Sequence, residues 1–245
     1  MVHRSPSTGR VRFSGPVTLL VLLFASASFA AQPKRKVLFL GDALGFGEFA
    51  QDVEPDRRFT HFLSIEDPSI DFVNAGHAGW ATSTYLKRQD EAIASLPRDA
   101  AVILLHLGAN DLRLHGHTDD TVKQAVVRLD KLADSVQRQA KDAHLVILSP
   151  ITMFPDELPD RLRNEGFGPE SPKYLKQLAD GYRALAKRRG WTFIDLHRVV
   201  TAGNTFDGAH PNAKGHAQIA AAVWPTLKEL LHADLQRRGG KGNQR

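Results

Sequence analysis

Short apolar runs of strand length alternate with longer helical segments, and this alternation limits the folds that the chain can adopt. Five runs are mostly apolar, as strands buried on both faces are: residues 37–40, 70–73, 101–107, 145–148 and 192–196. Between and after them lie periodic segments, notably residues 120–141, 171–189 and 213–237. The order predicts an α/β protein with a flavodoxin-like three-layer α/β/α sandwich and a five-stranded parallel sheet.

The first thirty residues have the pattern of a secretory signal peptide. Arg4, Arg10 and Arg12 precede an apolar run at residues 17–24, and small residues then lead to Ala30. The apolar centre is shorter than the roughly 20 residues that a spanning helix needs, so we expect membrane association only if the leader is retained. We predict a secreted or periplasmic protein with three parts: a signal peptide over residues 1–30, one domain over 31–235 and a basic flexible tail over 236–245.

Charge and cysteine content narrow the functional classes. The formal net charge is +5, but the excess of cations lies at the two ends, in the leader and in the tail after residue 236. The body therefore offers little reason to expect nucleic acid as a partner. The chain has no cysteine, which excludes disulfides, a thiol nucleophile and thiolate metal ligands.

Four polar, glycine-bearing clusters follow predicted strands. Three come after the first, second and third strands, and the last precedes the final helix: Gly41-Asp42-Ala43-Leu44, Asn74-Ala75-Gly76-His77-Ala78-Gly79, Gly108-Ala109-Asn110-Asp111 and Asp207-Gly208-Ala209-His210-Pro211. The carboxyl ends of parallel strands share one edge of the sheet, where ligands bind. The topology therefore predicts that the four clusters converge on one cleft.

The residue types in these clusters suit acyl transfer. Asp207 and His210, three residues apart on a turn, can face one centre, with the carboxylate orienting the imidazole as a general base. A glycine N–H and a carboxamide nearby can donate to an oxyanion. At position 43, where the surrounding residues call for a nucleophile, the chain has alanine.

The ordered set resembles the SGNH hydrolases, also called GDSL esterases and lipases, over roughly residues 36–232. The resemblance implies that Ala43 occupies the position of the nucleophilic serine and that its backbone N–H is one oxyanion donor. It further implies that Gly79 donates a backbone N–H, that Asn110 donates its side-chain amide, and that Asp207 and His210 complete a Ser-His-Asp mechanism. The implied substrates are small acyl or acetyl esters, of carbohydrates or lipids. No metal or organic cofactor is implied.

Ala43 leaves the present activity open. A methyl group cannot attack a carbonyl, so we expect strongly impaired hydrolysis. Three explanations compete: an engineered serine-to-alanine change, a natural pseudo-hydrolase that binds an ester or glycan in the same cleft, and a takeover by the hydroxyl groups of Thr82, Ser83 or Thr84. The helical placement of those three residues points them variously away from His210, which disfavours the third explanation.

Several other residues have a functional and a structural interpretation. His115 and His117, with Asp119 and Asp120, suggest a metal cluster, but a solvated loop is favoured because no third-ligand pattern supports it. Trp80, Phe46 and Phe49 could form an acyl pocket or sugar platform, and core packing is at least as good an explanation.

Two acidic residues and one long segment are predicted to have structural roles. Asp42 is expected to cap nearby backbone amides, and Asp111 is expected to shape its own turn. Residues 155–172, rich in proline, glycine and acidic residues, are predicted to form a loop over one sheet edge that could act as a lid.

Overall fold

The structure, a computed structural model, describes residues 34–46 and 55–242, so the predicted signal peptide and Phe49 lie outside the described residues. One parallel sheet contains five strands: β1 (Arg35–Gly41), β2 (Ile70–Asn74), β3 (Val102–His106), β4 (His144–Leu148) and β5 (Thr192–Ile194). Their spatial order is β2-β1-β3-β4-β5, which is the flavodoxin-like order. The predicted fold class is confirmed.

Helices connect the strands and cover both faces of the sheet. The described residues form α1 (Ala43–Phe46), α2 (Phe59–Glu66), α3 (Thr82–Lys87), α4 (Gln89–Ala94), α5 (Ala109–His115), α6 (Asp119–Gln139), α7 (Asp160–Asn164), α8 (Ser171–Arg189) and α9 (Ala213–Gly242), with 3-10 turns at Pro55–Arg57 and Pro155–Glu157. None of these described helices combines the length and the hydropathy of a membrane-spanning segment.

Alternate strand residues pack into two separate cores. On one face of the sheet, Leu38 and Ile103 join side chains from helices such as α6 and α8; on the other, Phe39 and Leu104 join residues of α2 and α9. All four side chains are completely buried. Because both faces of the sheet are covered, the strands lack polar alternation, which explains the continuous apolar runs in the sequence.

The strand register fixes the edge where ligands can bind. Gly41, the last residue of β1, pairs with His106, the last residue of β3, and Phe39 of β1 pairs with Asn74 at the end of β2. The connection after β1 leads to β2 on one side, whereas the connection after β3 leads to β4 on the other side. This is the topological switch point, where open α/β sheets form their ligand clefts.

Two segments contain more regular secondary structure than the sequence suggested. Residues 155–172, predicted as a loop, contain a 3-10 turn and α7, and they bury Leu162 and Phe167. The prediction missed the helix because Leu162 and Phe167 are too few apolar residues to show a helical period. The last helix, α9, includes Pro225 and continues to Gly242, beyond the start of the predicted tail.

A buried histidine joins α2 to α9. His216 is 3% exposed, its ring stacks on Phe59 with centroids 6.2 Å apart, and its Nδ1 accepts a hydrogen bond from the Phe59 N–H at 3.4 Å. Burial, with the nearby charge of Arg58, lowers the pKa of His216 from 6.5 to about 4. The folded protein therefore holds this imidazole in its neutral form.

This histidine should make the protein less stable in mild acid. Its pKa in the folded state lies below that of the unfolded state, so between these values the unfolded chain binds more protons and stability falls as pH falls. From pH 7 to pH 5 the loss due to His216 should be about 2 kcal/mol. Urea unfolding of the native chain and of His216→Asn at both pH values measures it.

The matched control is His232→Asn, which changes an exposed histidine of the same helix. We expect the pH dependence to shrink in His216→Asn and to persist in the control. An undiminished pH dependence in His216→Asn would contradict the assignment.

Candidate active site

Asp207 and His210 form a hydrogen-bonded pair on the turn after β5. His210 Nδ1 lies 2.8 Å from Asp207 Oδ2 and 3.0 Å from Oδ1, while the backbone N–H of His210 donates to Oδ1 at 2.8 Å. Gly208 makes the turn possible: its φ is 72°, and a Cβ there would come within 2.5 Å of the carbonyl oxygen of Phe154. The local sequence therefore presents the imidazole with its Nε2 on the side away from Asp207.

The electrostatics keep Asp207 ionised. Burial alone would raise the pKa of Asp207, but hydrogen bonds from His210, its charge and the N–H groups of the turn outweigh burial, so this pKa lies below its ordinary value. Arg161 of α7 adds a cation, with Nη2 at 3.6 Å from Asp207 Oδ2. An ionised carboxylate can hold the Nδ1–H of the neighbouring imidazole and stabilise its protonated form.

Ala43 starts α1 directly after β1. Asp42 Oδ1 accepts a hydrogen bond from the Leu44 N–H at 3.3 Å, so Asp42 caps a backbone amide of this turn. Gly41 permits the close approach of β1 to β3, because a Cβ there would lie 2.6 Å from the carbonyl oxygen of His106. The strand end thus places the half-buried Ala43 at the edge of the sheet.

The other two predicted oxyanion residues, Gly79 and Asn110, lie close to the starts of two helices. Gly79, with φ 73°, lies shortly before α3, and Asn110 lies in the first turn of α5. Gly108 allows the chain to enter α5, since its φ is 125° and a Cβ there would approach Tyr182 Oη at 2.8 Å. Asn110 Oδ1 accepts a hydrogen bond from Arg113 Nε at 2.9 Å.

Asp111 braces these two segments against each other. It is completely buried and accepts hydrogen bonds from the N–H of Thr82 at 2.9 Å and from its hydroxyl at 2.6 Å, and it pairs with Arg128 at 3.3 Å. Burial raises the pKa of Asp111 in spite of these partners. The residue therefore joins α3 to α5, a wider role than the local turn that the sequence suggested.

One cleft of about 260 Å³ brings most of the predicted residues together. Ala43, Gly79, Asn110 and His210 all line it, and Asp207 is the hydrogen-bond partner of His210. The other lining side chains are mainly apolar, among them Ile151, Met153, Leu162 and Phe167. An apolar cavity with a few convergent polar groups is the usual form of a small-molecule site.

Sequence reasoning missed His106 and Arg113, although both line the cleft. His106 is 3% exposed, contacts Asp42 Oδ1 through Nδ1 at 3.2 Å, and has no hydrogen-bond partner for Nε2 among the described residues. Their positions could have drawn attention to them, because His106 ends β3 and Arg113 follows Asn110 by three residues, on the same face of a helix.

The structure uses the nearby hydroxyl groups elsewhere. Thr82 bonds to Asp111, Ser83 Oγ lies 2.9 Å from His115 Nε2, and Thr84 Oγ1 accepts from the Ala81 N–H at 3.4 Å. None of these three residues lines the cleft described above. They are therefore poorly placed to replace a nucleophile at position 43.

The remaining candidates also have structural partners. His117 Nε2 lies 2.8 Å from Ser171 Oγ, so it and His115 contact different elements, and the described residues contain no group of three or more His, Cys, Asp or Glu that could hold a metal ion. Trp80 stacks on His77 with centroids 3.9 Å apart and packs against the core. These contacts favour the packing interpretation for Trp80.

Comparisons with known proteins fit this arrangement. Solved structures of similar fold include Est24, a carbohydrate acetylesterase from Sinorhizobium meliloti (21% identity, 80% of this chain, 100% of that chain, TM-score 0.65). They also include an aryl esterase of M. smegmatis (18% identity, 80% of this chain, 99% of that chain, TM-score 0.67). A third is a lipase/acylhydrolase from Enterococcus faecalis (18% identity, 80% of this chain, 96% of that chain, TM-score 0.60). At this level of identity the similarity establishes the fold. No curated protein sequence matches the chain significantly.

The fold, the cleft and the matching family profile together define an ester hydrolase scaffold. The chain belongs to the GDSL-like lipase/acylhydrolase family, whose profile matches residues 39–218. The resemblance to SGNH hydrolases inferred from the four clusters is thereby confirmed, and the matched span includes all four.

The brace formed by Asp111 should matter for stability. Asp111→Ala leaves the N–H and hydroxyl of Thr82 without their acceptor and Arg128 without its partner, so we expect a loss of about 3 kcal/mol in the free energy of unfolding. Urea denaturation at pH 7 measures the loss. Asp119→Ala, at an exposed position in the first turn of α6, is the control and should cost at most about 1 kcal/mol. Equal losses in the two variants would contradict this role.

Proposed function

We propose that this chain binds small acyl or acetyl esters in the cleft and, with Ala43 at the nucleophile position, hydrolyses them only slowly. One observation carries the proposal: the hydrogen-bonded Asp207–His210 pair reaches the same cleft that Ala43, Gly79 and Asn110 line. General base, oxyanion donors and acyl pocket are the parts that acyl transfer requires.

The proposed chemistry is that of a serine esterase with one missing atom. A serine hydroxyl at position 43 would attack the carbonyl carbon and pass its proton to His210 Nε2, while Asp207 holds Nδ1. Negative charge then develops on the carbonyl oxygen, where the N–H groups of residues 43 and 79 and the amide of Asn110 would stabilise it. The leaving alkoxide takes the proton back from His210, and water attacks the acyl group by the same route.

Alanine removes the first of these steps and with it the acyl-enzyme on which the later steps depend. Loss of the nucleophilic serine in a triad enzyme costs on the order of a millionfold in turnover, whereas oxyanion donors and binding alone retain roughly a thousandfold or more over water. Alanine keeps its backbone N–H, so the third predicted donor survives at position 43. The cleft should therefore still bind an ester that it cannot cleave efficiently.

The size and lining of the cleft support short acyl groups. Its volume of about 260 Å³ suits an acetyl or short acyl chain, and Ile151, Met153 and Phe167 provide apolar walls. Similar structures include a carbohydrate acetylesterase and an aryl esterase, which suggests a sugar or aryl alcohol as the leaving part. An acylated glycan is therefore our first candidate for the natural ligand.

A second candidate function is that of a non-catalytic binding protein. The observation that favours it is Ala43 itself, because this chain lacks a hydroxyl at the position that the Asp207–His210 pair would activate. Under this hypothesis the cleft serves to hold an ester or glycan, and hydrolysis is not selected for.

The substitution Ala43→Ser tests the proposal. We expect kcat/KM on p-nitrophenyl acetate to rise by at least about a thousandfold over the native chain, because a single oxygen completes the mechanism. The double variant Ala43→Ser with His210→Ala is the matched control and should return to the native level.

Each alternative result has a defined meaning. No gain in Ala43→Ser would refute the proposed hydrolase cleft and leave a scaffold that has lost its chemistry. Rapid turnover by the native chain that His210→Ala abolishes would show that Ala43 does not limit activity. A gain that survives His210→Ala would exclude His210 as the base.

We also propose that the protein is exported and that its leader is removed after Ala30. The basic, apolar and small-residue regions of residues 1–30 support this proposal. Mass spectrometry of the protein from a bacterial periplasm or culture medium should find an N-terminus at Ala31. A chain that keeps its first thirty residues and sediments with membranes would contradict it.

A further inference from the structure

We propose that Arg113 is a positioning residue that holds both side-chain and backbone oxyanion donors in their working orientation; this inference rests on the proposed function. Arg113 Nε donates to Asn110 Oδ1 at 2.9 Å, and Arg113 Nη2 donates to the carbonyl oxygen of Gly79 at 2.9 Å. One guanidinium thus joins the residues that the second and third clusters contribute to the cleft, and Arg113 itself lines that cleft.

The geometry of the guanidinium suits this task. Its donors lie in one plane at fixed angles, so two acceptors that both bond to it are held in a fixed mutual position. Hydrogen bonds from a charged donor are also roughly twice as strong as neutral ones. Asn110 and Gly79 belong to segments that follow different strands, and Arg113 connects them next to the reacting centre.

Arg113 decides which end of the Asn110 amide faces the cleft. The two ends of a carboxamide have nearly the same shape, but one donates and the other accepts. Because arginine can only donate, Oδ1 turns toward Arg113 and Nδ2 is the end available to the cleft. Rotation of the amide by 180° would instead place an acceptor against a developing oxyanion, which is repulsive.

The contact with Gly79 restrains the residue that carries the second donor. Gly79 has φ 73°, a conformation that costs glycine little but that does not by itself define the orientation of the next peptide. The N–H of Gly79 lies in the peptide before this residue and its carbonyl in the peptide after it, so the hydrogen bond from Arg113 restrains the donor through the Gly79 Cα and not directly. A Cβ at Gly79 would lie 3.6 Å from Arg113 Nη2, so the guanidinium also packs on the glycine. Small misplacements of such donors reduce catalysis strongly.

A binding experiment on the native chain tests this role without catalysis. Phenyl methylphosphonate is an anionic tetrahedral probe for the oxyanion site, and acetanilide is a planar neutral probe for the same cleft. We expect Arg113→Met to weaken phosphonate binding by about 30-fold or more and to change acetanilide binding by less than about threefold, measured by calorimetry or NMR titration.

Two further variants separate the causes. Arg113→Lys keeps the charge but not the fixed pair of donors, so we expect it to weaken phosphonate binding by about tenfold. Arg138→Met, at an exposed arginine that bonds to Ser135 on α6, is the control and should leave both affinities unchanged. Should Arg113→Met fail to fold, Arg113→Lys decides the question alone.

A kinetic arm uses Ala43→Ser as the parent. Adding Arg113→Met should lower kcat by about 100-fold while KM changes by less than about threefold, because the donors act on the transition state. No activity in the parent would refute the proposed function, and the phosphonate measurement on the native chain would still judge Arg113. Equal weakening of both probes, phosphonate binding that no Arg113 variant affects, or no phosphonate binding by the native chain would overturn the inference.

Discussion

In a parallel sheet every strand ends at the same edge, and the candidate active site depends on this constraint. β1 ends beside Ala43, β3 ends two residues before Gly108, and the segment after β2 contains Gly79. Three short turns therefore meet at one cleft, and no long loop is needed to bring them together. The turn that carries His210 completes the cleft from beyond β5. The two apolar cores hold the sheet, and the sheet in turn holds the polar residues at its edge.

The polar residues at this edge are positioned by charged side chains that each have hydrogen-bond or ion-pair partners. Asp207 is held by His210 and the backbone of its turn, Asp111 is held by Thr82 and Arg128, and Arg113 bridges Asn110 and Gly79. Leaving a buried or half-buried charge without its partner costs free energy, so each pair resists displacement of the segment that it braces. The polar residues of the cleft around Ala43 are therefore held by hydrogen bonds, and the rest of its lining is mainly apolar.

The fold was largely predictable because strands that are buried on both faces must be apolar throughout. The five strands therefore show in the sequence as five apolar runs. The convergence of Gly79, Asn110 and the Asp207–His210 pair on one cleft was predictable because the spacing and order of these residues follow a known family. Arg113 and His106 lie close in sequence to the predicted clusters but were missed, because the contacts of Arg113 with Gly79 and of His106 with Asp42 join residues distant in sequence. The segment that contains α7 was missed because Leu162 and Phe167 are buried by tertiary packing and not by a helical period.

The central claim is that the cleft is prepared to activate an oxygen at position 43. The most direct measurement is labelling of Ala43→Ser by a fluorophosphonate, followed by mass spectrometry of the peptide that contains position 43. The account predicts stoichiometric modification of that residue, none in the native chain, and at least a hundredfold slower labelling when His210→Ala is added. An unreactive hydroxyl in Ala43→Ser, or labelling at the same rate without His210, would contradict it.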